Sequence, residues 1–443
     1  MSRLTYDDDL FLRMECVLGV PVVNQIVWRF DEPAPHEALE KMWRNLAAGP
    51  LDRKVVRARL PGARDRWVPG AVTVPLTKGA AVVDSSGVGT WMHDRAATPL
   101  DPLHGPSWQL SYADVSDGGS LVSLVASHVV GDGGALTSAA IAALAGPEEP
   151  DDFRSAWDVP SASDVHDSVG QLRAAATGTA RALVRGLRAI PARRTVERSQ
   201  ESAATKASIP SAASGRFTPS TVVVDCPTQQ WTAAAVGAGG SANSLLVAVA
   251  LGILAESGRV AHTDSVRVSL PVSTRVTGDV RANATSGVAI SVAGDSHRRS
   301  DLTAVRRDSK AAFTALADAS HSTTFELTKP LMQMLPDAVV AKASKSATAP
   351  LCLCSNLGDR GERARFVGGL RARSVAMRSI TQNTTAELLR RTRGGVSVWW
   401  NHSGETSTLC VTGLDPDCFP TAERLRELVA VEYDRWQIEP TFW

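Results

Sequence analysis

Short stretches of strand-type alternation are interleaved with helix-type spacing along the chain. Residues 22–30, VVNQIVWRF, place Ile26, Trp28 and Phe30 on one side of an extended segment. Between His36 and Ala48 the apolar residues Leu39, Met42, Trp43 and Leu46 recur every three or four positions, with Pro35 before the start and Gly49-Pro50 as the stop. The segments SWQLSYADV and SLVSLVASHVV read as two strands joined by the turn Ser116-Asp117-Gly118-Gly119, so a hairpin brings His128 to a strand end. The small-residue run Gly134 to Ala145 then predicts a helix.

Patterning weakens from about Asp151 to Pro219, where Pro191, Pro210 and Pro219 act as breaks. It resumes with the strand STVVVDC and a helix from Ser241 to Glu256, in which Leu245, Leu246, Val249, Ile253 and Leu254 make a broad apolar face. The strand SVRVSLPVSTR follows, then a helix from about Leu302 to Ala317. The strands APLCLCSNLG and GGVSVWWNH and a helix from about Thr421 to Trp436 complete the series. Strand, helix and strand thus recur in both halves, which predicts two α/β lobes: residues 1–190, a linker over 191–219, and residues 220–443. There is no residue-level repeat, so the symmetry expected is architectural.

At 443 residues each lobe is long enough to bury its own core. A net charge of +1 excludes a global field for nucleic acid or membrane, so charged partners must be met locally. The basic stretch RALVRGLRAIPARRTVERSQ is read as a solvated helix face and loop. The six cysteines do not make a secreted disulfide framework, and Cys352 and Cys354, one residue apart, fall on one strand face rather than in a zinc knuckle, so no metal is expected. Three aspartates interrupt the N-terminus where a secretory signal would need an apolar core, and no run reaches bilayer length. The expectation is a cytoplasmic protein without a transmembrane segment or nucleic-acid partner, with peripheral lipid contact left open.

The densest chemical signal is Ser127-His128-Val129-Val130-Gly131-Asp132-Gly133-Gly134. A histidine at the end of an apolar strand is held rigidly, and its ordinary pKa of about 6.5 lets it accept and return a proton near neutrality. Asp132, in the same turn, requires a cation or several donors. Gly133 and Gly134 remove side chains where the backbone turns sharply or another surface comes close. Ser127 beside a base is a conceivable nucleophile, but it lacks a Gly-x-Ser-x-Gly elbow, and neighbouring strand residues point to opposite faces. It is read as a pocket or core residue.

These residues resemble the His-His-x-x-x-Asp-Gly motif of condensation domains, polyketide-associated acyltransferases and wax ester synthase/diacylglycerol acyltransferases, which share the chloramphenicol-acetyltransferase-like fold. His128, Asp132 and Gly133 match the second histidine and the Asp-Gly, and SLPVSTR resembles the family's Pro-Val-x-x-Arg strand, with Arg275 as its arginine and Asn283 where a Gly-Asn pair often follows. Weaker matches occur in order along the chain: LTYDDDLFLRME, Pro99-Leu100-Asp101 with Pro106 and Trp108, Ser241-Ala242-Asn243, and Ser355-Asn356-Leu357-Gly358. Two departures stand out. Ser127 replaces the first motif histidine, and the Asp-Phe-Gly-Trp-Gly motif of the plant branch is absent.

The resemblance implies two lobes in a V-shaped pseudo-dimer with an active-site tunnel between them. It implies His128 as general base and a structural salt bridge from Asp132 to Arg275, whose fork matches two carboxylate oxygens. Ser127, Gly133, Ser355 and Asn356 would line the tunnel or the oxyanion position, although a turn-forming role explains Ser355 and Asn356 almost as well. Of Trp399 and Trp400, alternating across a strand, one belongs to a core and the other lines a surface or tunnel. The implied donor is acyl-CoA or the phosphopantetheinyl thioester of an acyl or peptidyl carrier protein, the acceptor is a small alcohol or amine, and no permanently bound cofactor is needed. A lipid-forming O-acyltransferase is the enzymatic alternative to a natural-product synthase. Ser127 also admits a catalytically silent condensation-like module that recruits a carrier or partner enzyme.

Overall fold

In a computed structural model, residues 3–70, 74–79, 81–146, 164–189, 215–276, 278–296, 300–318 and 324–443 are described. Most of the expected linker, residues 191–214, lies outside them. The first half runs through α1 (Tyr6–Cys16), β1 (Val22–Phe30), α2 (His36–Ala48), β2 (Arg53–Val56), β3 (Arg66–Pro69), β4 (Thr77–Lys78) and α3 (Val88–Ala96). It continues with β5 (Trp108–Asp114), β6 (Ser120–Ser127), α4 (Gly133–Ala145) and α5 (Asp164–Ala189). The second half opens with β7 (Thr221–Pro227), α6 (Thr228–Gly237), α7 (Ala242–Glu256), β8 (Ser265–Ser273) and β9 (Thr285–Ala293). Next come α8 (Thr303–Ala317), α9 (Thr324–Gln333), α10 (Asp337–Ser344), β10 (Cys352–Gly358), α11 (Arg360–Ala364), β11 (Phe366–Val367) and β12 (Leu370–Arg371). The last elements are β13 (Ser374–Thr381), α12 (Ala386–Thr392), β14 (Val396–Ser403), β15 (Thr406–Gly413), α13 (Ala422–Arg435) and β16 (Thr441–Phe442).

Two mixed sheets organise the molecule, one ordered β13-β1-β6-β5-β4 and the other β16-β7-β15-β14-β10-β8-β9. Each has its own core. Trp28, Leu39, Met42, Leu110, Leu124 and Leu136 centre the first, and α7 runs through the second with Leu245, Leu246, Val249 and Ile253 fully buried. Burial on all sides explains why α7 is apolar around its whole circumference. Among the described residues no single helix is long and apolar enough to cross a membrane.

Sheet membership does not follow chain order throughout. Residues 374–381, within the stretch assigned above to the second lobe, pair antiparallel with β1, matching Val22 with Thr381 and Gln25 with Arg378. Ala364, Val367, Ala372, Val375 and Met377 accordingly pack into the first core. The excursion covers the edge of β1 that would otherwise present unpaired backbone groups and ties the two lobes together.

The two strands expected on either side of the Ser116–Gly119 turn pair as the hairpin β5–β6, with Trp108 opposite Ala126 and Asp114 opposite Ser120. β6 ends at Ser127, so His128 stands in the turn that follows it, one residue beyond the ladder. Trp400 lies in the second core, stacked 5.7 Å from Trp231, while Trp399 sits half-buried against the first core. Cys352 and Cys354 share a buried strand face, their sulfurs 3.7 Å apart.

Candidate active site

Three features hold the turn after β6. The His128 amide donates to the Val22 carbonyl at 2.8 Å, extending the sheet by one bond. Val130 N donates back to Ser127 O at 3.1 Å. Arg53, almost fully buried, donates from Nη2 to Val130 O at 2.6 Å and from Nη1 to Val280 O at 3.1 Å, linking this turn to the β8–β9 loop of the other lobe. Its guanidinium also lies 4.6 Å from the Trp67 ring centroid, a cation–π contact.

Asp132 is the N-cap of α4 and accepts from Ala135 N at 2.7 Å. The same carboxylate takes Arg275 Nη2 at 2.9 Å, Ala284 N at 2.8 Å and Thr285 Oγ1 at 2.8 Å, so its charge is met by four donors, three of them from the β8–β9 region. Burial alone would raise its pKa, but Arg275 and the donated hydrogen bonds outweigh it and leave the carboxyl below its ordinary value. The arginine engages only one carboxylate oxygen, not two. Nη2 also donates to the carbonyl of Ala282 at 2.7 Å and Nη1 to that of Arg281 at 2.7 Å, so Arg275 braces its own loop as well as the opposite lobe.

Asn283 closes the arrangement. Its Nδ2 donates to Asp8 Oδ1 at 2.9 Å and lies 3.1 Å from His128 O and 3.3 Å from Val129 O. Three acceptors around this atom fix the amide orientation, so Oδ1, 3.0 Å from His128 Nδ1, accepts. The hydrogen on the imidazole is therefore on Nδ1, and Nε2 carries the free lone pair. Asp8 anchors the chain from the far side: it receives Asn283 N at 3.0 Å and forms a capping box with Thr5 at the start of α1. Burial nonetheless pushes the Asp8 carboxyl above its ordinary value.

One helical turn along the same face, Phe11 stacks on the His128 ring with centroids 3.6 Å apart and planes 15° from parallel. A further turn on, Glu15 meets Ser127. Asp8, Phe11 and Glu15 thus follow the spacing that puts side chains on one helix face, and that face lies over the histidine. Burial lowers the His128 pKa below its ordinary value, against an opposing contribution from Asp132, so the ring is neutral at pH 7. His128 keeps partial solvent exposure. The arrangement can accept a proton at one defined nitrogen.

Gly133 meets the other lobe directly: a Cβ there would lie 2.8 Å from Trp399 Cζ3. Gly133→Val is expected to force Trp399 away and destabilise the fold by about 1–3 kcal/mol, the usual cost of overpacking, read as a lowered midpoint of chemical unfolding. A narrow cavity of about 10 Å³ remains beside this contact, lined by residues that include Asn24, Gly133, Thr137, Leu357 and Trp399. A second cavity of about 200 Å³, lined in part by His93, Thr218, Ile380, Thr381 and Gln382, lies at the end of the first sheet where β13 finishes. His128 borders neither.

Ser127 is buried and its Oγ accepts from Val129 N at 3.3 Å, which satisfies a turn amide. Asn356 Oδ1 accepts from Gly358 N at 2.9 Å, the turn-forming arrangement, and Ser355 is buried opposite Trp399 in the β10–β14 ladder. Among the described residues no hydrogen bond joins Ser355 or Asn356 to His128; Leu357 is the residue of that segment that reaches the cavity beside Gly133. Phe11, Glu15, Arg53 and the anchoring role of Asp8 were not singled out from sequence. The available signal for the α1 residues was the spacing of positions 8, 11 and 15 within LTYDDDLFLRME.

No protein-family model matches the chain, and no curated protein is matched. Solved structures are. The first condensation domain of the calcium-dependent antibiotic synthetase, in complex with a substrate analogue, superposes with a TM-score of 0.57 at 16% identity, covering 98% of this chain and 96% of that one. The chain has the condensation-domain fold. The wax ester synthase/diacylglycerol acyltransferase from Marinobacter aquaeolei VT8 gives a TM-score of 0.57 at 12% identity over 98% of this chain and 99% of its own. Polyketide synthase associated protein 5 from Mycobacterium tuberculosis gives 0.53 at 13% identity over 98% of both. The similarity of fold therefore covers nearly the whole chain, both sheets included.

Proposed function

We propose that this chain is an acyltransferase in which Nε2 of His128 is the general base. The observation that carries the reading is the fixed tautomer: Asn283, held by Asp8, accepts from Nδ1 and leaves the opposite nitrogen free on a neutral, partly exposed ring. Nε2 takes the proton of an alcohol or amine acceptor as it attacks a thioester carbonyl, then returns it to the departing thiolate. The donor is an acyl-CoA or the phosphopantetheinyl thioester of a carrier protein, and the products belong to natural-product or lipid synthesis. The calcium-dependent antibiotic synthetase domain and the wax ester synthase, which share the fold, support acyl transfer as the reaction class. Asp132 and Arg275 serve as the inter-lobe brace, with no direct part in the proton transfer.

The test is thiol release from acyl-CoA or acyl-carrier donors in the presence of acceptors, with products identified by intact mass. Release no faster than hydrolysis without enzyme, over a broad donor and acceptor panel, counts against the reading. The pH dependence is set by the base. Because burial lowers the His128 pKa, the neutral form persists below pH 6.5, and kcat/KM is expected to hold to that point and fall only on further acidification. An acid limb centred well above pH 6.5 in kcat/KM for an uncharged acceptor would contradict His128 as the base.

A further inference from the structure

Helix α5 is held to the rest of the chain by one face. Asp164 pairs with Arg3 at 2.8 Å and Asp167 with Arg64 at 2.7 Å, which fixes its first turn. Further along, Gln171, Ala175 and Ala182 are buried, and Gly178 lies so close to α9 that a Cβ there would collide with the Leu327 carbonyl. These positions recur every three or four residues, so they mark a single packed face made mainly of small side chains.

The opposite face is apolar and uncovered. Val165, Val169, Leu172 and Leu183 repeat at the spacing of one helical stripe, with the exposed Ala176 between them, and are from 42% (Val169) to 63% (Leu183) exposed. Val184, next to the stripe, is exposed as well. No other helix among the described residues leaves as many large apolar side chains in solvent. From Val165 to Leu183 the stripe runs for ~27 Å along the helix axis. Single exposed apolar residues need no explanation, but a continuous row of them marks a contact surface.

Charge beside the stripe has one sign. The helix carries Arg173, Arg181, Arg185 and Arg188, and between Asp167 and Glu197 there is no acidic residue, although the chain as a whole is nearly neutral at +1. Arg173 and Arg181 are exposed and fall on the flank between the stripe and the packed face. Every side chain of the stripe is aliphatic, without the aromatic anchors that concentrate binding energy in a protein interface. A second copy of the helix would set arginines against arginines, an arrangement that disfavours pairing. An aliphatic stripe with an arginine flank instead meets both demands of an anionic lipid surface, apolar contact with the acyl boundary and positive charge for the phosphates.

We propose that α5 docks this protein on anionic lipid membranes, with Val165, Val169, Leu172 and Leu183 in the headgroup layer and the arginines on the lipid phosphates. Because no single helix among the described residues is long and apolar enough to cross a membrane, the helix lies in the plane of the surface. The inference goes beyond the acyl-transfer reading and does not depend on it.

The experiment sediments the full chain with vesicles of phosphatidylcholine alone and with vesicles in which about 30% of the lipid is phosphatidylglycerol. Wild type should bind the anionic vesicles about tenfold more tightly than the neutral ones, and raising the salt from about 0.05 to about 0.5 M should remove most of that preference. Leu172→Ser combined with Leu183→Ser should weaken binding to the anionic vesicles about tenfold, and Arg173→Glu combined with Arg181→Glu by about as much. All four side chains are exposed, so both variants should keep the unfolding midpoint of wild type, which separates lost docking from lost folding. No preference for anionic vesicles, or equal binding by wild type and both variants, overturns the proposal. So does a wild type that ignores vesicles but forms a dimer, or takes up an acidic acyl carrier protein, through contacts that the Leu172 and Leu183 substitutions abolish, because the stripe then has a protein occupant. Docking that follows the expected pattern stands even where no thioester is turned over, and its absence leaves the acyl-transfer reading untouched.

Discussion

His128→Ala should lose about 10²–10⁴-fold in turnover while unfolding close to wild type, because the substitution removes the proton acceptor and little else. Its side chain makes one hydrogen bond, to Asn283, and one stacking contact, with Phe11. The bonds that shape the turn are made by backbone and by Arg53, and they survive truncation. Loss of activity with a retained unfolding midpoint is what a base requires. Equal activity in the variant would remove the proposed mechanism, and a collapsed fold would mean that the ring is a packing residue. Asn283→Leu supplies the companion result. It keeps the imidazole but frees its tautomer, so kcat should fall less than in His128→Ala.

How far the site was legible depended on whether its signals were local. The β5–β6 hairpin could be read because alternation and a Gly-containing turn are encoded in consecutive residues, and this placed His128 to within one position. Asp132 announced itself as a charge in a buried turn, and Arg275 followed from the motif it completes. The face of α1 was hidden for the opposite reason. Its buried positions are Asp8, Asp9 and Leu12, and the face over His128 carries Asp8, Phe11 and Glu15, so the periodicity that reveals a buried face by its apolar residues was masked by carboxylates. β13 was missed because its pairing with β1 spans most of the chain, and because Arg378 and the hydroxyl residues Ser374, Ser379 and Thr381 break up its apolar pattern. That guanidinium is buried, and Nε donates to Gln25 Oε1 at 2.7 Å on the strand it pairs with. A buried polar pair of this kind becomes meaningful only when both strands are in place. Asn283 was noticed as a motif position, but its work on the imidazole is a matter of three-dimensional donor and acceptor counting that no spacing rule supplies.

Asp132→Ala should behave in the contrary sense to His128→Ala, damaging the fold before the chemistry. The truncation withdraws the acceptor from Ala135 N, Ala284 N, Thr285 Oγ1 and Arg275 Nη2 at once. It also leaves the buried Arg275 charge without its carboxylate, a change that typically costs about 3–5 kcal/mol, and it removes the N-cap of α4, worth about 0.5–2 kcal/mol. These terms share partners and do not add fully. Acid dependence gives a second signature. The folded carboxyl titrates below its ordinary value, so its contribution is complete above the unfolded pKa of about 3.9 and is lost as pH falls through the folded one. Wild type should therefore lose stability in strong acid more steeply than Asp132→Ala, which has already forfeited that contribution. Asp132→Asn keeps one acceptor oxygen for the cap but turns a donor towards Ala284 N or Arg275, and its unfolding midpoint should fall between the other two. An Asp132→Ala protein with the stability and acid profile of wild type would show that the lobes are held by the remaining contacts between them, among them the β13 excursion, the Gly133–Trp399 contact, Arg53 on Val280 and Asn283 on Asp8, and that the carboxylate braces nothing.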